Sequence, residues 1–370
     1  GLLRHQHPLD SPTGVQVIRN GRALWNFASN DYLGLARHPE IEAACIEGVQ
    51  RYGAGAAASR LVCGTLPPHQ ALEKLLAEAK QTEAALTFSS GFATALGVIP
   101  AVVGKSDFVF IDKLSHACLI DAAHLSGATL RVFPHNDLIK LGKLLLSTRL
   151  KFPFVRILVV TESVFSMDGD LSPIREIVEL AEAYNALLLL DEAHAFGICG
   201  ENGMGLAEQE NLQQRITFQM GTLSKAVGLS GGYLAASQEW IDLITNRARS
   251  FIYSTATPPA LAHAAITSIH LIRSPAGKEL REKLQQNIAR FSATYTPIIP
   301  KHLGSNQAAL DASKKLDHDG FLVPAIRFPT VPRGTARLRI SVSAAHTLEL
   351  IDLLILKLSQ LNPCSDDRKF

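Results

Sequence analysis

The run VRILVVT, residues 155–161, limits the fold more than any other stretch of the chain. Apart from Arg156 it is apolar or β-branched throughout and shows no polar alternation. A strand built from it must be covered on both faces, as in a parallel sheet flanked by helices. The residues that follow supply such a cover. Ser172 is an N-cap residue with Pro173 at the first helical position, and Ile174, Ile177, Val178 and Ala181 then fall on one helical face. Asn185 closes that helix.

Residues 187–190 (LLLL) predict a second buried strand, which runs into Asp191, Glu192, Ala193 and His194. A third, residues 216–221, delivers the chain to Thr222 and Lys225. Residues 108–111 and 130–133 predict further strands, with His135, Asn136 and Asp137 opening a helix from Leu138. The alternation predicts an α/β fold whose central, mostly parallel sheet has about seven strands, and ligands of such sheets gather at the carboxyl ends of the strands. After about residue 258 the pattern changes to helices over 259–272 and 277–295 and a strand with alternating faces near 336–342. The expected division is an amino-terminal segment (1–35), a large domain (36–257) and a smaller α+β domain (258–370) whose last residues, 362–370, fray.

Composition excludes several functions. Thirty-six Lys and Arg against thirty-four Asp and Glu give a net charge of +2, which argues against a nucleic-acid or membrane-surface partner. The five cysteines, Cys45, Cys63, Cys118, Cys199 and Cys364, are scattered without metal-ligand spacing and read as reduced thiols of a cytoplasmic protein. No apolar run is long enough to span a bilayer, and the amino end lacks a signal-peptide pattern. The chain begins at Gly1 rather than Met, which leaves a preceding leader open.

The chemistry centres on MGTLSKAVGLSGG, residues 220–232. A phosphate-loop lysine directly follows glycine, whereas Lys225 follows Ser224, so that reading fails on residue order. A solvated loop cation is the ordinary alternative, but Thr222 and Ser224 beside Lys225 suit a phosphate. Asp191, at the end of a buried strand, requires a partner. Pyridoxal phosphate asks for this set: a lysine for its aldehyde, an acid for its ring nitrogen and donors for its phosphate.

In chain order, NFASNDYLGL (26–35), SSGFATA (89–95), DKLSHACL (112–119), TESVFSMDGD (161–170), DEAHAFG (191–197) and GTLSKAVG (221–228) resemble the α-oxoamine synthases, pyridoxal-phosphate enzymes of the fold-type I, aspartate-aminotransferase class. The resemblance runs from about Leu3 through the small domain. Residues 249–260 and 325–346 resemble the biotin-pathway member, which implies a decarboxylating condensation of L-alanine with a pimeloyl thioester of coenzyme A or an acyl carrier protein. A sister synthase joining glycine to acetyl-CoA, or a cofactor-binding homologue without activity, is the alternative.

By resemblance, Lys225 carries the cofactor as a Schiff base and moves the α-proton, Asp191 pairs with the pyridinium, and His116 stacks on the ring. Ser166 and His194 lie at the phenolic oxygen, while Gly91, Phe92 and Thr222 bind the phosphate. Ser254 and Thr255 reach the phosphate of a neighbouring subunit, which implies a homodimer. Arg339, helped by Asn30, clamps the amino-acid carboxylate, and Arg4 and Thr330 contact the acyl substrate. Arg337, on the same strand face as Arg339 and Ser341, reads as solvated. No metal is implied.

Several stretches depart from the family's pattern. Ala56, Ala57 and Ala58 stand where its loop is richer in glycine, so a turn there that needs positive φ is strained or rebuilt. Ala195 stands where glycine is usual. The chain is also short between Phe291 and Pro297, as if a connecting strand were missing.

Overall fold

The computed structural model describes residues 3–291 and 295–361. The expectations for 362–370 and for residues 292–294 of the 291–297 connection, together with Cys364, lie outside the described residues. The chain forms two compact units. One holds residues 39–165 and 171–275; the other holds, of the described residues, 3–38, 166–170, 276–291 and 295–361.

The first unit is built on seven strands: β1 (Ala84–Phe88), β2 (Phe108–Asp112), β3 (Thr129–Phe133), β4 (Ile157–Glu162), β5 (Leu187–Asp191), β6 (Phe218–Thr222) and β7 (Gly232–Ala236). Their spatial order is β1-β7-β6-β5-β4-β2-β3. Only β7 runs antiparallel to its neighbours β1 and β6; every other pairing is parallel. The apolar runs dictate this arrangement, since β2, β4 and β6 are buried along their whole length and tolerate no solvent face. The parallel strands β2, β4, β5 and β6 all end on one edge, at Asp112, Glu162, Asp191 and Thr222.

Helix boundaries follow local chemistry. Ser90 caps the helix Gly91–Val102 by accepting from the Ala93 N–H at 3.0 Å, and Asp137 caps Leu138–Lys151 through the Lys140 N–H at 2.8 Å. The helix after β4 is Ile174–Ala183, with Pro173 rather than Ser172 at the cap. The Ser172 N–H goes to Ser163 O at 3.1 Å while its hydroxyl is buried without a partner, so the expected cap is one residue off. Asn185 does close the helix, in the left-handed region at φ 48°. The helix Pro259–Arg273 packs on Pro39–Tyr52 within this unit. Ala57 adopts φ 58°, so the alanine-rich loop keeps a conformation that favours glycine.

The second unit carries two three-stranded sheets. Gln16–Arg19 pairs with Arg22–Asn26, which in turn takes Phe321–Leu322 in parallel; Ile298–Gly304 and Ala325–Ile326 flank Ala336–Ser341. The amino-terminal strands thus belong with the carboxyl-terminal residues. Burial extends over every residue of Ala336–Ser341, including both arginines. The expected helix over 277–295 is Pro275–Ala289 and ends earlier.

Candidate active site

In the first unit, the ends of β4, β5 and β6 bring the reactive side chains together. Beyond β6, Lys225 Nζ lies 2.7 Å from His194 Nε2, on the loop after β5. Asp191 is buried and accepts from the Ala193 N–H at 2.9 Å. Burial raises its pKa, and the charges of Lys225 and His116, with the Ala193 bond, oppose that rise. His116 precedes the helix Ala117–Ser126. Burial lowers its pKa; Asp191 acts against this and Lys225 with it.

Thr222 ends β6 with its Oγ1 2.8 Å from Gly231 O, to which it donates, and 2.7 Å from Ser224 Oγ. Close backbone approach sets the helix Gly91–Val102 beside it. A Cβ on Gly232 would lie 2.5 Å from Gly91 N, and one on Gly91 would lie 3.6 Å from Thr222 Cβ. Ser90 engages the N–H groups of Ala93 and Thr94, and those of Gly91 and Phe92, in the first turn, are of the kind that a helix start offers to an anion. These groups fit pyridoxal phosphate: an amine for the aldehyde, a buried acid for the ring nitrogen, and a helix start with hydroxyls for the phosphate.

Ser254 and Thr255 lie apart from this cluster in hydrogen bonding. Thr255 forms an isolated bridge with Ser59, and the following Ala256 N–H donates to Ala58 O at 2.9 Å. They are therefore joined to the alanine-rich loop.

In the second unit, Arg339 is buried and four of its five guanidinium N–H donors are engaged. Nε donates to Ser166 O at 2.6 Å, Nη1 to Asn30 Oδ1 at 3.1 Å and Ser341 Oγ at 2.8 Å, and Nη2 to Tyr32 OH at 3.4 Å. Burial pushes the Tyr32 phenol up to about 12 against the pull of Arg339, so it remains a neutral partner. Arg4 Nη2 donates to Thr330 Oγ1 at 2.9 Å on the surface, which joins the two residues assigned to the acyl substrate. The reading of Arg337 as solvated is overturned. It is buried, ion-paired with Asp168, and donates to Met167 O at 3.2 Å and Thr335 O at 3.0 Å. The strand is covered on both faces, so alternation did not mark an outer one.

Several participants had no assignment from sequence. Glu162, cross-strand partner of Asp191, is buried and accepts from the His116 backbone N–H. Lys80 and Glu192 form an ion pair without solvent exposure. Cys118 Sγ lies 3.0 Å from His116 Nδ1. The second acid of the Asp191–Glu192 pair, at the end of a buried strand, was the one available signal for Glu192.

Residues 22–358 match the aminotransferase class I and II family. The chain belongs to that family. Within it, 8-amino-7-oxononanoate synthase of Geobacter sulfurreducens is 46% identical over 357 residues, covering 94% of this chain and 90% of that protein. The Anaeromyxobacter dehalogenans protein of the same name is 44% identical over 372 residues, 98% of this chain and 92% of its own. Among solved structures, serine palmitoyltransferase from S. paucimobilis with a bound PLP–myriocin aldimine superposes with a TM-score of 0.90 at 29% identity, covering 95% of this chain and 91% of that one. An 8-amino-7-oxononanoate synthase from Francisella tularensis gives 0.76 at 27%, covering 91% and 97%. The aminotransferase class I and II fold accounts for the seven-stranded, mostly parallel sheet. Among the described residues no helix is long and apolar enough to cross a membrane.

Proposed function

We propose that this chain catalyses the 8-amino-7-oxononanoate synthase reaction: L-alanine condenses with a pimeloyl thioester, a thiol leaves, and carbon dioxide is lost. The observation that carries the reading is Lys225 Nζ held 2.7 Å from His194 Nε2 beside the buried Asp191, at the carboxyl edge of the sheet. The near-full-length relatives of that name support it. Pyridoxal phosphate, when bound, supplies an electron sink for negative charge at the substrate α-carbon.

The protein's own groups take the following parts. Lys225 would hold the cofactor covalently and would remove and return the substrate α-proton. Asp191 would meet the ring nitrogen; burial raises its pKa, and the charge of Lys225 with the Ala193 N–H bond opposes that rise. Gly91, Phe92 and Thr222 would hold the phosphate, and His194 and Ser166 would lie at the phenolic oxygen. Arg339, steadied by Asn30, takes the alanine carboxylate. Arg4 and Thr330 meet the acyl chain, and His116 donates to the developing thioester oxyanion. Ser254 and Thr255 serve the phosphate of a second copy, so the working form is a homodimer. The acyl donor is a coenzyme A or carrier-protein thioester, and the enzyme works in the cytoplasm.

The test is thiol release from pimeloyl-CoA on addition of L-alanine, with the visible absorption of the bound cofactor followed in parallel. Wild type releases thiol faster with alanine than with glycine. Lys225→Ala loses both the absorption band and turnover; retained turnover in that variant overturns the assignment.

A further inference from the structure

The surroundings of His116 determine which ring nitrogen carries its proton. His116 caps the helix Ala117–Ser126, and its Nδ1 accepts from the Cys118 backbone N–H at 3.3 Å. Cys118 Sγ approaches the same nitrogen at 3.0 Å. A main-chain N–H can only donate, so Nδ1 must present its lone pair. A neutral imidazole with an accepting Nδ1 holds its single proton on Nε2.

The thiol has a proton to give. Cys118 is buried, and burial first, then the negative charges of Asp191 and Glu162, raise its pKa against the opposing pull of Lys225. The main chain of His116 is fixed independently, its N–H donated to the buried carboxyl of Glu162. Glu162 therefore holds the backbone while Cys118 holds the ring.

We propose that Cys118 is a positioning residue that locks His116 in the Nε2–H tautomer and thereby makes Nε2 a hydrogen-bond donor to the reacting groups. The inference rests on the assignment of His116 to the cofactor site. The charged groups facing His116 are Asp191 and Asp121, which favour its cation, and Lys225, which opposes it together with burial. An imidazolium would direct a proton from Nδ1 at two donors, so the Cys118 contacts reinforce burial in keeping the ring neutral. Without the thiol, one long N–H contact remains to select the tautomer. The ring then gains access to the Nδ1–H form, which has no proton on Nε2, and to the cation.

The experiment is 15N NMR of histidine-labelled protein, cofactor-free and cofactor-loaded, with the His116 signals assigned by His116→Gln. Wild type shows a single Nε2–H tautomer. Cys118→Ser, which keeps a donor, retains it. Cys118→Ala and the bulkier Cys118→Val, which lack one, show mixed tautomers and a His116 titration midpoint moved to higher pH. In the loaded enzyme kcat falls about tenfold in the Ala and Val variants, with KM for alanine within about twofold of wild type, and Ser restores it.

An Nδ1–H signal in wild type overturns the proposal. So does an unchanged tautomer and titration in both donor-less variants, or a kcat loss without a tautomer change. The NMR readout needs no turnover. Failure here with an intact Lys225-dependent absorption band refutes the tautomer lock alone, whereas turnover in Lys225→Ala refutes the site assignment and leaves the tautomer result standing.

Discussion

Replacing both members of the Lys80–Glu192 pair should destabilise the protein by less than the two single cuts added together. Neither side chain is exposed to solvent. Lys80 Nζ also donates to Met204 O at 2.6 Å, and Glu192 Oε1 accepts from the Ala207 N–H at 2.9 Å, so each charge has a second tie. Lys80→Met leaves the carboxylate with one backbone donor, and Glu192→Gln leaves the ammonium with carbonyl partners. Removal of one member of such a buried pair costs about 3–5 kcal/mol, because the remaining charge cannot return to water. In Lys80→Met/Glu192→Gln no charge remains, and the new amide can accept from Ala207 and donate to Met204 O. The double variant should therefore lose less than the two single losses added together, by roughly 2–3 kcal/mol. Urea unfolding of the cofactor-loaded protein measures this, and thermal midpoints should move by about 2–4 °C per kcal/mol for a unit of this size. A loss below about 1 kcal/mol in Lys80→Met, or strict additivity in the double variant, would refute the reasoning.

Two further outcomes follow from single positions. His346 is buried, stacked on Phe27 at 4.0 Å, and bonded to the Ser343 N–H at 3.0 Å and Asn26 O at 3.1 Å; burial lowers its pKa to about 4. The unfolded chain then binds a proton near pH 6.5 that the folded one refuses until about 4, so stability is lost as pH falls through that window, by about 3 kcal/mol. Urea midpoints between pH 7 and pH 4 should show this, and His346→Gln should remove that share of the slope. Ala57 sits at φ 58°, where a Cβ is strained, so Ala57→Gly should stabilise the protein by up to about 1 kcal/mol in thermal unfolding. A lower midpoint would refute the strain.

What the sequence disclosed depended on range. The strands 157–162, 187–191 and 218–222 were legible because apolar runs of that length have one stable environment, and their ends located Asp191, Thr222 and the approach to Lys225. Arg337 was misread because alternation implies a solvated face only when one side of a sheet is open, and both faces of Ala336–Ser341 are covered. The remaining misses are pairings between distant residues. Lys80 and Glu192 are 112 positions apart, the His116 N–H and Glu162 are 46, and Arg339 and Ser166 are 173. No local pattern records such contacts. Cys118 was counted with the scattered thiols because nothing in its spacing from other cysteines points to its contact with His116 two residues before it.

The acids at the ends of β2, β4 and β5 show how one residue type takes three roles. Asp112 accepts from the Leu114 and Asn136 N–H groups, each at 2.8 Å, and lies 3.0 Å from His135 Nδ1, so it organises the turn that leads to His116. Glu162 and Asp191 face each other across the β4–β5 register, both buried, and two such carboxyls cannot both ionise cheaply. Burial raises Glu162 well above its ordinary range, with the charge of Asp191 as the next cause. Asp191 is raised less, with the charge of Lys225 and the bond from the Ala193 N–H opposing its burial. The asymmetry makes Glu162, which holds the main chain of His116, the acid pushed further toward its neutral form, and Asp191 the one pushed less. Neither role is encoded in the residue itself; each follows from which strand end carries it and which positive charge that end faces.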